Sequence, residues 1–160
     1  MSESPTSYSR LQIGLHWIVA ILIAIAFFTH ENMGRALRQR IEQDLSGMEG
    51  ATAHTIAGGL ALVFILWRLV VRWQRGAPEP EGSDLQKTAA NWGHRALYLL
   101  MIAAPVLGAA AWIGKIPALG EVHEVAGQAL VLIALGHAAF ALLHHFVQKH
   151  NTMRRMLKSE

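Results

Sequence analysis

Four long apolar stretches constrain the fold of this chain more than any other feature. The length of each is close to or above the roughly 20 residues that an α-helix needs to cross a bilayer. They run from Leu11 to Thr29, from Thr52 to Trp73, from Asn91 to Ile113 and from Val122 to Val147. The pattern predicts an all-α fold, an integral membrane four-helix bundle that occupies residues 1–160 as a single domain.

A water-soluble four-helix bundle is the alternative fold. Its helices would carry polar residues along one face at the helical period. Two runs in this chain, Leu60–Leu66 and Ala129–Leu135, are instead apolar on every side of a helix. The first apolar stretch is also too long for a signal peptide and lacks a clean cleavage motif. We therefore predict that all four helices lie in a lipid bilayer.

The Lys and Arg residues are distributed unevenly among the polar segments. Ten lie in the N-terminal segment, the second connection with its helix ends, and the C-terminal tail, whereas four lie in the first and third connections. The positive-inside rule then places both termini in the cytoplasm. Because membrane topology accounts for the net charge of +3, no nucleic-acid partner is predicted.

The chain contains no cysteine and nine histidines. The lack of cysteine excludes disulfides, iron–sulfur clusters, thiolate ligands and covalently attached c-type haem. Histidine is therefore the residue type available to bind a transition metal.

Two histidines on the fourth apolar stretch, His123 and His137, are 14 residues apart. A helix separates them by about 21 Å along its axis and by about 40° around it. The hydrocarbon core of a bilayer is about 30 Å thick. One helix can thus present a ligating nitrogen near each membrane surface, as two haems stacked across a membrane require.

The predicted topology groups the other histidines by depth. His16 lies near the cytoplasmic side with His137, and His54 lies near the outer side with His123. Each pair would provide both axial ligands of a non-covalently bound haem, an arrangement that favours electron transfer because no iron position stays open. On spacing alone, His30 competes with His54, because it is also 14 residues from His16 and near the outer surface.

The histidines and the small residues near them have alternative, purely structural interpretations. A histidine in an apolar helix is often only a packed, hydrogen-bonded side chain, and the chain would then be a non-redox structural bundle. Small residues near the histidines admit either a flat macrocycle or close helix packing. They are Gly58, Gly59, Gly127 and Gly136.

Several segments resemble the bacterial cytochrome b561 family, which includes the superoxide:ubiquinone oxidoreductases called superoxide oxidases. The similar segments are YSRLQIGLHW (Tyr8–Trp17), LWRLVVR (Leu66–Arg72), GHRALYLLMIAAPVLG (Gly93–Gly108) and HAAFALLHHF (His137–Phe146). The ending NTMRRM (Asn151–Met156) also resembles the family's, so the similarity extends over nearly the whole chain.

The resemblance implies a bundle in the bacterial inner membrane that holds two haem b groups. His16 and His137 would ligate the cytoplasmic haem, and His54 and His123 the outer one, so the family favours His54 over His30. Superoxide would give up its electron outside, and ubiquinone would be reduced. The alternative is a diheme electron-transfer subunit that serves a partner dehydrogenase or hydrogenase.

Other residues are candidates for supporting roles. Arg10, Arg68 and Arg72 either pair with haem propionates or anchor the cytoplasmic side. His144, one heptad after His137, is the candidate catalytic proton donor to quinone, and the alternative is an interfacial histidine that points to water. Four outer cations either concentrate superoxide or are solvated charges balanced by nearby acids. These cations are Arg35, Arg38, Arg40 and Lys115.

Overall fold

The computed structural model describes residues 5, 7–147 and 153–157, and the regular structure within these ranges is entirely helical. The elements are α1 (Arg10–Phe28), α2 (Met33–Glu42), α3 (Ala53–Arg75), α4 (Asp84–Gly114), α5 (Pro117–Phe146) and a 3₁₀ turn (Arg154–Met156). Four of them, α1, α3, α4 and α5, are long and apolar enough to cross a membrane. The predicted four spanning helices are thus confirmed, and the orientation of the termini stays a prediction. Asn151 and Thr152 of the tail motif lie outside the described residues.

The spanning helices pack as two antiparallel hairpins. Helix α1 packs along α3, α4 packs along α5, and α3 joins the hairpins through α4. In the described part of the chain, α1 and α5 make no comparably close contact. An apolar cluster fills the middle of the bundle, with Val19, Ile65, Met101 and Leu130 as members from the four helices. This cluster separates the two ends of the bundle.

We name one end of the bundle after helix α2 and the other after the chain termini. The α2 end contains the end of α1, the start of α3, the end of α4 and the start of α5. The terminal end contains the start of α1, the end of α3, the start of α4 and the end of α5. Large apolar side chains along the helices point outward, among them Leu132, which is 72% exposed. Such an all-round apolar surface fits lipid rather than water.

The residues at the N-terminal ends of two helices explain where these helices begin. Ser83 and Gln86 form a capping box, so α4 begins at Asp84, before the predicted Asn91. Its 31 residues span about 46 Å, more than the roughly 30 Å hydrocarbon core, so the added polar turns extend beyond it. Helix α5 begins at Pro117 rather than Val122, because proline is favoured in the first turn of a helix.

Helix α2 was not predicted, because its ten residues are too few and too polar to cross a membrane. It packs against the starts of two spanning helices. Thr52 Oγ1 donates to Met33 Sδ over 3.1 Å, and Leu37 lies against Gly120 of α5. Helix α2 therefore covers the α2 end of the bundle.

Side-chain hydrogen bonds close the terminal end. The Trp17 indole Nε1 donates to the Met156 carbonyl over 2.9 Å. The Gln12 amide donates to the Gly76 carbonyl, also over 2.9 Å. Arg155 forms an ion pair with Glu81, with an N–O distance of 2.6 Å. The described part of the tail is thus held against α1 and the loop before α4.

An ion pair links the loop after α2 to the end of α4. Lys115 Nζ contacts Asp44 Oδ1. The hydrogen bond from Lys115 and its positive charge hold the pKa of the Asp44 carboxyl below its usual value of 3.8. The pair therefore contributes stability above the unfolded-state pKa, and this contribution disappears as the pH falls through the lowered folded-state pKa.

We expect Asp44→Asn to lower the melting temperature slightly at neutral pH and not at all in acid, where the native carboxyl is also neutral. Asp44 is exposed, so salt should reduce the difference. The measurement is thermal unfolding in detergent across a pH series, with Glu42→Gln as the control for loss of a nearby exposed carboxylate. A destabilisation of equal size at every pH would contradict the assignment.

Candidate metal centres

Two histidines from different helices meet at the α2 end. His54 lies in the first turn of α3, and His123 lies in the second turn of α5. Their ring centroids are 5.7 Å apart, and the ring planes are at 78° to each other. The prediction grouped these residues by depth, and the structure brings their imidazoles together. We call this pair the α2-end site.

Backbone carbonyls fix both imidazoles of the α2-end site. His54 Nδ1 donates to the Ala26 carbonyl over 2.8 Å, and His123 Nδ1 donates to the Ala104 carbonyl over 2.7 Å. A carbonyl can only accept, so Nδ1 carries the proton in each ring and Nε2 keeps its lone pair. Metal-binding histidines commonly have such a partner on the second nitrogen. The site is thus arranged to present two Nε2 atoms to a metal.

A glycine makes room for one of these rings. A Cβ placed on Gly108 would lie 3.0 Å from atoms of the His123 imidazole, closer than ordinary contacts. Any larger residue at this position would displace the ring. The sequence analysis quoted Gly108 within a motif and missed this role, because the motif does not reveal which helix faces it.

His30, the competing candidate, lies elsewhere. Its side chain is exposed, and its Nδ1 contacts the Phe27 carbonyl within the same stretch of chain. Its ring stacks on Phe27 rather than on His123. The geometry therefore favours His54 as the partner of His123.

Three imidazoles and a cation gather at the terminal end. His137 of α5 contacts His94 of α4, with ring centroids 5.1 Å apart. His16 of α1 lies within electrostatic range of both rings and of the Arg68 guanidinium. We call the three histidines the terminal-end site. The sequence analysis grouped His16 with His137 and did not pair His94 with either.

The packing of the helices bears on which two of these histidines suit a haem. The helices of His94 and His137 pack closely, whereas those of His16 and His137 do not. A flat macrocycle needs space between its two ligands. His16 Nδ1 is also buried and has no hydrogen-bond partner among the described residues. The pairing of His16 with His137 stays a prediction, favoured by this looser packing.

The four glycines near the histidines do not serve close helix packing. A Cβ placed on Gly58, Gly59, Gly127 or Gly136 would meet no neighbouring atom within 4 Å. Gly58 and Gly127 are nevertheless half-buried. Open space beside half-buried glycines is what a bound macrocycle would occupy.

Arginines line a small pocket at the terminal end. Arg68 and Arg72 each place a guanidinium 5.5 Å from the ring centroid of Tyr98. Neither arginine has an ion-pair partner within the described ranges. The pocket lining is Tyr8, Gln12, Arg68, Arg72, Tyr98 and Met156. Arg10, which was predicted with Arg68 and Arg72, is exposed at the start of α1 and does not line this pocket.

His144 is buried rather than pointed to water. It is only 5% exposed, its Nδ1 donates to the Phe140 carbonyl over 2.9 Å, and its ring centroid lies 4.0 Å from that of Phe140. The alternative of an interfacial histidine is therefore wrong. The bond to the Phe140 carbonyl fixes the orientation of the ring.

The donor set fits a b-type haem. The sites offer imidazole nitrogens on facing helices, open space beside glycines, and unpaired guanidinium groups suited to propionates. In the described part of the chain, no group of three or more side chains is arranged to hold a metal ion by itself, whereas a haem iron would need only two imidazoles from the protein.

Comparison with known proteins decides the family. The family model for prokaryotic cytochrome b561 matches residues 7–159. The chain belongs to this family. It is therefore a multi-pass membrane protein of electron transfer, and the family implies b-type haem.

Named relatives cover nearly the whole chain. It is 37% identical to cytochrome b562 of Cereibacter sphaeroides, over 99% of both chains. It is 33% identical to the probable superoxide oxidase CybB of Yersinia pestis, over 94% of this chain and 95% of the relative. It is 30% identical to cytochrome b561 homolog 1 of Escherichia coli K12, over 94% and 96%. No solved structure matches the chain significantly.

Two substitutions test whether His54 or His30 is the haem ligand that pairs with His123. We expect His54→Ala to remove one haem per chain, because it deletes an Nε2 of the α2-end site. The control, His30→Ala, should keep the haem content of the unmodified protein. Haem per chain is measured by pyridine haemochrome assay on purified protein. Loss of haem in His30→Ala, with full content in His54→Ala, would reverse the assignment.

Proposed function

We propose that this chain is a diheme membrane cytochrome b that oxidises superoxide at the α2 end and reduces ubiquinone at the terminal end. The observation that carries the proposal is the presence of two histidine sites at opposite ends of one bundle, with the apolar cluster between them. Similarity to the probable superoxide oxidase supports the choice of substrate.

The proposed reaction balances in electrons and protons. Two superoxide anions each lose one electron and become dioxygen. The two electrons and two protons convert ubiquinone to ubiquinol. The chain must therefore accept electrons singly at one end and deliver two of them, with protons, at the other.

Four histidine side chains would hold the two proposed haems. Two b haems, when bound, supply a one-electron relay between the two ends of the bundle. His54 and His123 would hold the haem at the α2 end, and His16 and His137 the other. If two histidines hold each haem, the iron would have no open position for dioxygen, which suits a relay.

Fewer of the four cations are available to attract superoxide than the sequence suggested. Lys115 pairs with Asp44, and Arg40 is buried with 1% exposure. Arg35 and Arg38 remain exposed and line an open depression of about 390 Å³ together with Gln39 and Glu42. We propose these two arginines as the positive surface that attracts superoxide.

The terminal end would handle the proton-coupled half of the reaction. Arg68 and Arg72 are suited to bind the propionates of the haem at this end, because each lacks an ion-pair partner among the described residues. His144 would deliver a proton to ubiquinone from Nε2. The positive-inside rule places this end in the cytoplasm and the α2 end outside.

The first test is a superoxide pulse on haem-loaded protein in detergent, with ubiquinone present. We expect fast haem reduction in the optical spectrum, followed by formation of ubiquinol. Haems that do not react with superoxide, in a protein that accepts electrons from a co-purified dehydrogenase or hydrogenase, would favour the electron-transfer subunit. A protein that binds no haem after reconstitution would overturn both functions.

Substitution of His144 distinguishes the electron-transfer step from the proton-transfer step. We expect His144→Asn to leave haem reduction by superoxide unchanged and to slow ubiquinol formation about 10²-fold or more, as for loss of a general acid. The matched control is His145→Asn, the next residue along. Stopped-flow spectra follow both steps in one experiment. Equal slowing by both substitutions would assign a structural role to His144.

A further inference from the structure

A buried cation without a carboxylate partner lies at the α2 end. Arg40 is 1% exposed, and no carboxylate of residues 7–147 or 153–157 lies within ion-pair distance of its guanidinium. Its Nε donates to the Trp112 carbonyl over 2.8 Å. Its two Nη atoms donate to the carbonyls of Glu49, over 2.6 Å, and Gly47, over 3.0 Å. These bonds use three of its five N–H groups and leave its charge uncompensated.

A buried donor without an acceptor lies beside this cation. The Arg40 guanidinium lies 4.7 Å from the ring centroid of Trp112. The Trp112 side chain is 7% exposed, and its indole Nε1 has no hydrogen-bond partner in the part of the chain that the structure describes. A buried indole N–H usually finds a partner. A cation and an unused donor together indicate an anionic acceptor.

The position of Trp112 identifies the source of that anion. Trp112 follows Gly108 by one turn of α4, about 6 Å along the helix axis and about 40° around it. Gly108 lies directly against the His123 imidazole. Trp112 thus lies beside the α2-end site, on its side toward the membrane surface. Because Arg40 and Trp112 are both buried, a carboxylate carried by the cofactor is a better candidate than an ion from solvent.

We propose that Arg40 and Trp112 bind a propionate of the haem at the α2-end site. Trp112 Nε1 donates the hydrogen bond, and the Arg40 cation compensates the negative charge. The proposal rests on the proposed function for the presence of this haem, but not on the electron donor. It also explains why a cation is retained where a neutral residue would avoid the cost of burial.

Arg40 has a second consequence for the same site. Its bonds tie the segment 47–49, which leads into α3 and His54, to the end of α4, whose Gly108 supports His123. Arg40 is therefore also a positioning residue. Its charge favours the reduced haem, which carries one more electron. Loss of the charge should shift this haem toward the oxidised form by about tenfold, or about 59 mV for one electron.

The experiment uses the full-length, haem-loaded protein in detergent. Trp112→Phe removes the indole N–H and keeps a smaller aromatic ring under Arg40. Arg40→Gln removes the charge, and Arg40→Lys keeps it. Arg38→Gln is the matched control, because it removes an exposed charge from the same helix. The readouts are haem per chain, the midpoint potential of each haem, and the resonance Raman propionate bending band, which responds to hydrogen bonds.

We expect Trp112→Phe to keep both haems and to shift the propionate band of one. Arg40→Gln should lower one midpoint potential, Arg40→Lys should restore most of it, and Arg38→Gln should change neither potential. An unchanged propionate band and potential in Trp112→Phe would overturn the proposal, as would equal effects of Arg38→Gln and Arg40→Gln. If Arg40→Gln fails to fold, Trp112→Phe and Arg40→Lys still decide. Unmodified protein that binds no haem would instead refute the proposed function.

Discussion

A bilayer offers no hydrogen-bond partner to a polar atom, so every polar side chain within this bundle must find one in the protein or in its cofactor. Backbone carbonyls are the acceptors that recur. They bind the Nδ1 atoms of His54 and His123, the Gln12 amide and all the described bonds of Arg40. A carbonyl accepts without bringing a charge, and it fixes the proton position of an imidazole. The same constraint therefore builds the fold and prepares the metal ligands.

The two ends meet this constraint to different degrees. At the α2 end, both imidazoles have carbonyl partners, and Trp112 Nε1 is the buried donor without one among the described residues. At the terminal end, three imidazoles gather and His16 Nδ1 has no partner in the described ranges. Backbone carbonyls thus orient both imidazoles of the α2-end site, whereas one imidazole nitrogen of the terminal-end site has no such partner. Under the proposed function, a haem would therefore contribute more to ordering the imidazoles at the terminal end than at the α2 end.

The spanning helices were predictable because a bilayer imposes one length and one composition on each of them. The depth of each histidine followed from the helix rise and the antiparallel order. The rotation of each helix about its axis did not, since it depends on packing between helices. The sequence therefore could not reveal that His94 touches His137, or that Gly108 faces His123. Helix α2 and the first turns of α4 were missed because they are polar, and hydropathy detects only what lies in lipid.

The charges also favour one direction of electron movement. If the α2 end faces outward, an electron that travels to the terminal end moves against an inside-negative membrane potential. That movement costs about 2.3 kcal/mol per 100 mV. Buried cations stabilise an added electron in a low dielectric. The terminal end holds two half-buried arginines, Arg68 and Arg72, and Arg68 is in electrostatic range of His16 and His137. The α2 end holds one fully buried cation, Arg40. Under the proposed function, this imbalance would offset part of the cost and favour delivery of electrons to ubiquinone at the terminal end.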